Sequence, residues 1–233
     1  MSTSARTLSI AAGALAVLAA LAGCATVPGA APAGGSPKIG ADKAPRAAWL
    51  DPSSFVISTW SDGCAPMIDD LVVGDQRIEV SLTTADEATC DGEEGPYGTY
   101  LGVPAGIDSS KPLTIEVTQY GGEASLIELA GLANGEVAPA DRMPEQKPAA
   151  AWIGDGELAV LTWGSSTCLP KSGAVADGVI TLDEPLDGVC TMDYVPRITF
   201  VSAAGVAEGD ELELAGYTAE DGTPMRLAPV PLS

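Results

Sequence analysis

Histidine is absent from all 233 residues. That absence removes Ser–His–Asp and Cys–His catalysis and the imidazole ligands of ordinary zinc sites. Positive charge is scarce: 11 Lys and Arg stand against 32 Asp and Glu, a formal net charge of −21. Phosphate binding needs a basic footprint, so nucleic acid is excluded as a partner. The protein surface is also repelled by anionic lipid head groups. Most of the acids read as solvated loop residues that keep the chain soluble. No GxSxG pattern surrounds Ser165 and Ser166, and no SxxK spacing leads to Lys171, so neither serine is expected to be a nucleophile. After residue 24 no stretch carries an apolar stripe at helical spacing.

Long apolar runs are missing as well, with one short exception. "LSIAAGALAVLAALA", Leu8 to Ala22, is 15 residues long, whereas a membrane-spanning helix needs about 20. The polar "MSTSAR" with Arg6 precedes it, and Gly23 and Cys24 follow. This is the layout of a secretory signal peptide over residues 1–23. Its end, Leu21-Ala22-Gly23-Cys24, resembles the lipobox of bacterial lipoproteins. The resemblance implies diacylglycerol on the Cys24 thiol, cleavage before Cys24, and stable anchoring by more than one acyl chain. The expected location is the extracytoplasmic face of the cell membrane, with membrane lipid as a partner through acylated Cys24. Residues 24–47 are rich in Pro, Gly and Ala and read as a flexible tether. Its root-mean-square reach is roughly 25–30 Å.

The remainder is repetitive. "AWLDPSSFVISTW" (48–60) aligns without a gap with "AWIGDGELAVLTW" (151–163), and all four tryptophans fall there: Trp49, Trp60, Trp152 and Trp163. The match continues as "TWSDGCAP" (59–66) with "TWGSSTCLP" (162–170), and "VGDQRIEV" (73–80) with "VADGVITL" (175–182). "TYLGVPAGI" (99–107) is set against "ITFVSAAGV" (198–206), and "PLTIEV" (112–117) against "DELELA" (210–215). Two copies of one domain follow, residues 48–133 and 151–233, joined by a Pro-rich linker, 134–150.

Within each copy the apolar period is two. Ile78, Val80 and Leu82 alternate with polar residues, as do Leu113, Ile115 and Val117, and Leu212 and Leu214. "FVIS" and "LAVL" are apolar on both faces, as in a central strand. The fold expected is all-β: two tandem antiparallel sandwiches or barrel-like domains of about six strands each.

With Cys24 assigned to lipid, four cysteines remain in an exported, disulfide-permissive setting. The repeat selects Cys64–Cys90 and Cys168–Cys190 among the possible pairings. The Thr-Trp…Cys-x-Pro motif reads as scaffold, with the tryptophans in the core beside each cystine. "TWGSSTCLP" is also similar to a motif of actinobacterial surface lipoproteins without assigned activity. A single asparagine, Asn134, with abundant Ala, Gly and Val, fits the GC-rich genomes of many actinobacteria.

Paired carboxylates are the remaining route to chemistry. The candidates are Asp69, Asp70, Asp91, Glu93 and Glu94 in the first copy, and Asp183, Glu184, Asp187 and Asp193 in the second. "DGEEG" (91–95) and "GDGE" (154–157) cluster oxygens but lack the spacing of a calcium loop. No catalytic residue, metal or cofactor is therefore expected. The function expected is that of a non-enzymatic, lipid-anchored envelope protein binding or presenting an extracellular ligand or protein partner. The alternatives are a carboxylate-dependent cell-wall or glycan-acting enzyme, and an inhibitor or binding module for a secreted enzyme.

Overall fold

The structure, a computed structural model, describes residues 43–84, 93–141, 143, 145–185 and 189–232. Every regular element among them is a strand. The first copy supplies β1 (Arg46–Asp51), β2 (Ser54–Ser61), β3 (Pro66–Val73), β4 (Arg77–Thr84), β5 (Gly95–Gly102), β6 (Leu113–Gln119) and β7 (Ala124–Leu129). The second supplies β8 (Ala149–Gly154), β9 (Glu157–Gly164), β10 (Gly173–Ala176), β11 (Val179–Leu182), β12 (Val195–Ser202), β13 (Leu212–Thr218) and β14 (Pro224–Leu227). Each copy thus holds seven strands, one more than the alternation pattern counts.

The copies share one strand order. The second is a single sheet, β14-β13-β11-β10-β12-β9-β8; the first runs β1-β2-β5 and β3-β4-β6-β7 in two sheets. Registers correspond too: Trp60 pairs with Pro96 as Trp163 pairs with Pro196. Ile78 pairs with Ile115 as Ile180 pairs with Leu214. These registers correct the later alignment by one residue. Thr99 matches Thr199, not Ile198, and Leu113 matches Leu212, not Glu211. A slip of one residue turns every side chain to the opposite face, so only the corrected register puts leucine against leucine in the core.

The sheets are mixed rather than antiparallel. β4 and β6, β10 and β12, and β11 and β13 pair in parallel. The reason is connectivity: the chain leaves β4 to build β5, which pairs with β2, and returns to place β6 beside β4.

Each copy closes over its own core. Trp49, Phe55, Ile57, Ile78, Ile115 and Leu129 lead the first cluster. Their counterparts Trp152, Leu158, Val160, Ile180, Leu214 and Leu227 lead the second. The opposite faces of the same strands form a third cluster, in which Ala48, Leu50 and Val56 meet Ala151, Ile153, Ala159 and Phe200. β2 and β9 are therefore buried on both faces, as their unbroken apolar runs require. The cores of the two copies meet through this third cluster, and the described residues pack as one compact unit. Arg46 reinforces the seam, its guanidinium 2.9 Å from Glu157 Oε2 and donating to the Ile153 carbonyl. The segment 134–150 is tied at both ends: Ala138 is buried and exchanges backbone hydrogen bonds with Gly106 and Ile107, and Ala149 opens β8.

Two tryptophans of the four are core residues: Trp49 is 1% and Trp152 3% exposed. Trp60 and Trp163, expected in the core beside the cystines, are half-buried at the ends of β2 and β9. There the sheet runs out, and Trp60 instead donates to Glu94 while Trp163 stacks on Tyr194. The two buried indoles differ in one bond. Trp49 Nε1 donates to the Ala130 carbonyl at 2.8 Å, whereas Trp152 Nε1 has no partner among the described residues. Trp49→Phe should therefore cost about 1 kcal/mol more than Trp152→Phe, because it orphans a carbonyl as well as removing volume. Equal shifts in urea midpoint for the two variants would contradict this.

Candidate functional site

In strand pairing the copies part company at the strand after the first cysteine. In the second copy β10 pairs in parallel with β12 through Gly173↔Val201 and Ala174↔Ser202, which joins the sheet into one. The pairings Leu71↔Val80 and Gly173↔Leu182 make Leu71 the counterpart of Gly173. A Cβ at Gly173 would sit 2.7 Å from the Thr181 carbonyl oxygen and 3.0 Å from Val201 Cγ2. Closure there depends on glycine. With leucine in that place, β3 pairs among the described strands with β4 alone.

The side chains of β3 make that edge unusual. Ile68, Leu71 and Val73 oppose Leu82, Val80 and Ile78 of β4, so they lie on the core side of the sheet. They are nevertheless 42%, 39% and 42% exposed, with no described strand paired beyond the edge to cover them. Met67 and Val72 are exposed on the outer face, where Asp70 pairs with Ser81, and the register shifts between Ile68 and Asp70. The facing strand, β5, pairs only with β2. Its Thr99 hydroxyl and that of Thr59 on β2 are buried without a hydrogen-bond partner among the described residues. An edge strand that is long, apolar and unpaired is a template for another strand.

The other candidates are dispersed. Asp69 and Asp70 are exposed on β3, and Glu93 is exposed before β5. Glu94 accepts from Lys43 at 2.5 Å and from the Trp60 indole, which together hold its carboxyl below the usual range. Asp183 accepts from the Ser172 hydroxyl, and Glu184 from the Arg197 guanidinium. Cys24, Cys90, Asp91 and Asp187 lie outside the described residues. Among the described residues no three His, Cys, Asp or Glu side chains converge as a metal site would require. No helix among them is long and apolar enough to cross a membrane.

Cys168 and Cys190 are joined, with their Cα atoms 5.5 Å apart across 22 residues. Closing a loop of that size stabilises by roughly 3 kcal/mol in the chain-entropy model. Cys64 is likewise disulfide-bonded. Around the second bridge, Ser165 and Ser166 are not poised as nucleophiles. Ser165 Oγ lies 2.8 Å from the Thr191 hydroxyl, and the Ser166 amide donates to Asp193.

Hydrogen bonds from Ser166 and then Thr191 lower the Asp193 carboxyl from 3.8 to about 2. A carboxyl depressed in the folded state adds stability that is full above its unfolded value and is lost as pH falls through the folded one. Stability should therefore drop between about pH 4 and pH 2, and Asp193→Asn should flatten that drop. Thermal melts across this range check it; an unchanged pH slope would show that the bonds do not persist in solution.

The β3 edge carries no motif and went unread in the sequence. The signal was present all the same: aligning "VGDQRIEV" with "VADGVITL" already sets Leu71 against Gly173. No protein-family model, curated protein or solved structure matches the chain.

Proposed function

We propose that this is a non-enzymatic, lipid-anchored protein of the cell envelope that holds a partner outside the membrane. The observation that carries the binding role is the exposed apolar edge of β3, open where the sister copy is closed. Elsewhere the apolar strands are turned into three cores, and Glu94, Asp183 and Glu184 are engaged in local bonds. The anchoring half of the reading rests on "LAGC" at 21–24 and the Pro/Gly/Ala tether behind it. In the same reading each copy derives from one ancestral module and keeps its own bridge, with Cys64 joined to Cys90.

Mass spectrometry of the membrane fraction should recover an acylated N-terminal Cys24 peptide and a Cys64–Cys90 peptide. Cys24→Ala should move the protein out of that fraction. A photo-reactive side chain at Val72 should capture the same envelope protein in repeated preparations, and one at Glu123, on the turn before β7, should not. Recovery of an unacylated N-terminus would remove the anchor. Labelling with no preference for Val72 would remove the binding edge.

A further inference from the structure

We infer that the occupant of the β3 edge is an extended segment of another protein, added as a strand, with apolar side chains facing inward and Lys or Arg facing outward. The inference rests on the binding reading above and names its partner. Three features of the edge define the chemistry. An eight-residue strand offers a row of backbone donors and acceptors that no described strand pairs, with the Leu71 amide held by the Asp70 carboxylate at 2.9 Å, and main-chain pairing with an extended peptide satisfies such a row. Pro66 has no amide hydrogen to give, so pairing runs from Met67 onward. On the core side, Ile68, Leu71 and Val73 form a half-covered apolar ledge, which the inward side chains of an added strand would finish covering.

Charge selects among possible strands. On the outer face the edge presents Asp70, with Asp69 at the irregularity beside it, while Glu79 on the neighbouring strand is paired with Arg77. Opposite charges across a strand pair stabilise it and like charges oppose it. A second copy of this chain would bring the same acidic edge and a further −21, so it is the disfavoured occupant. A segment alternating apolar and basic residues meets both faces.

The test uses the full chain in detergent and three eight-residue peptides: alternating Val and Lys, alternating Val and Glu, and the Val/Lys peptide N-methylated at alternate amides. Fluorescence anisotropy should show binding of the Val/Lys peptide and roughly fivefold weaker binding of Val/Glu, as one or two cross-strand charge pairs change sign. The N-methylated peptide keeps its charge but cannot pair, and should not bind. Asp70→Lys should reverse the preference. Hydrogen exchange should slow at β3 amides when the Val/Lys peptide is present. Equal binding of the methylated peptide, protection only outside β3, or indifference to Asp70→Lys would overturn strand addition. So would protection of β3 by dimerisation without peptide, which would make the occupant a second copy. A protein captured at Val72 without β3 protection would leave the binding reading standing and remove only this one.

Discussion

Gly98→Ile should destabilise the protein by about 3 kcal/mol, the upper end for an overpacked core, and adding Ile198→Gly should return a large part of the loss. Gly98 and Ile198 are counterparts in the two copies, as Trp60↔Pro96 and Trp163↔Pro196 establish. They also touch: a Cβ built on Gly98 would lie 2.2 Å from Ile198 Cγ2 and 2.5 Å from its Cβ. Two equivalent positions meeting across a seam is what a two-fold relation between the copies produces. At such a point two isoleucines cannot both fit, so one copy carries the large residue and the other carries none. Ile198→Gly alone should cost about 4 kcal/mol, from the cavity left and the glycine placed in a strand. In the double variant the same volume returns from the opposite side. The coupling should therefore reach at least about 2 kcal/mol, far beyond what distant sites show. Urea titrations of the four proteins measure it. Additive losses would mean that the copies do not press together at this point.

That seam also marks where sequence reading reached its limit. Alternation in Arg77–Thr84, Leu113–Gln119 and Leu212–Thr218 located strands correctly, because one face of each is buried. The unbroken runs of β2 and β9 were legible as strands buried on both faces. What covers the second face was not, since nothing in a run of apolar residues says whose core it enters. Sheet direction was hidden for a related reason: β4 and β6 read alike whether they pair in parallel or not. The one-residue misalignments were avoidable, because Leu212 and Leu214 alternate with glutamates and could face only one way. The Thr-Trp motif overstated its tryptophans, since an indole at the last residues of a strand reaches the rim of the core rather than its centre. The open edge is a difference between copies, and a search for similarity passes over differences. Leu71 looked like one more apolar residue until Gly173 showed that closure needs none.

Arg197 is the other residue on which a single change should act strongly. It is 6% exposed, on β12, and its guanidinium serves four acceptors. Nη1 donates to the Cys168 carbonyl at 2.8 Å, Nη2 to Tyr217 Oη at 3.0 Å and Glu184 Oε1 at 3.3 Å, and Nε to Thr162 Oγ1 at 3.3 Å. Gly164 makes the room, because a Cβ there would come within 2.8 Å of the guanidinium carbon. The first copy has Tyr97 at the matching position, donating instead to the Glu93 carbonyl. Arg197→Met should lower stability by about 3 kcal/mol, since it keeps much of the volume but leaves the Cys168 carbonyl and Thr162 hydroxyl without a donor. Glu184→Gln should cost under about 1 kcal/mol, because that carboxylate is partly exposed and water takes the place of the ion pair. Arg197→Lys should recover only part of the loss, as one ammonium cannot reproduce a planar fork reaching four oxygens. The bond to the Cys168 carbonyl adds a second readout. With Arg197 gone, the chain at the bridge loses a tie to β12, and dithiothreitol should reduce Cys168–Cys190 faster in Arg197→Met than in Glu184→Gln at matched temperature. If the two variants lost equal stability and their bridges were reduced at equal rates, the buried network would be an ion pair and nothing more, and the second copy would be held by its cystine and core alone.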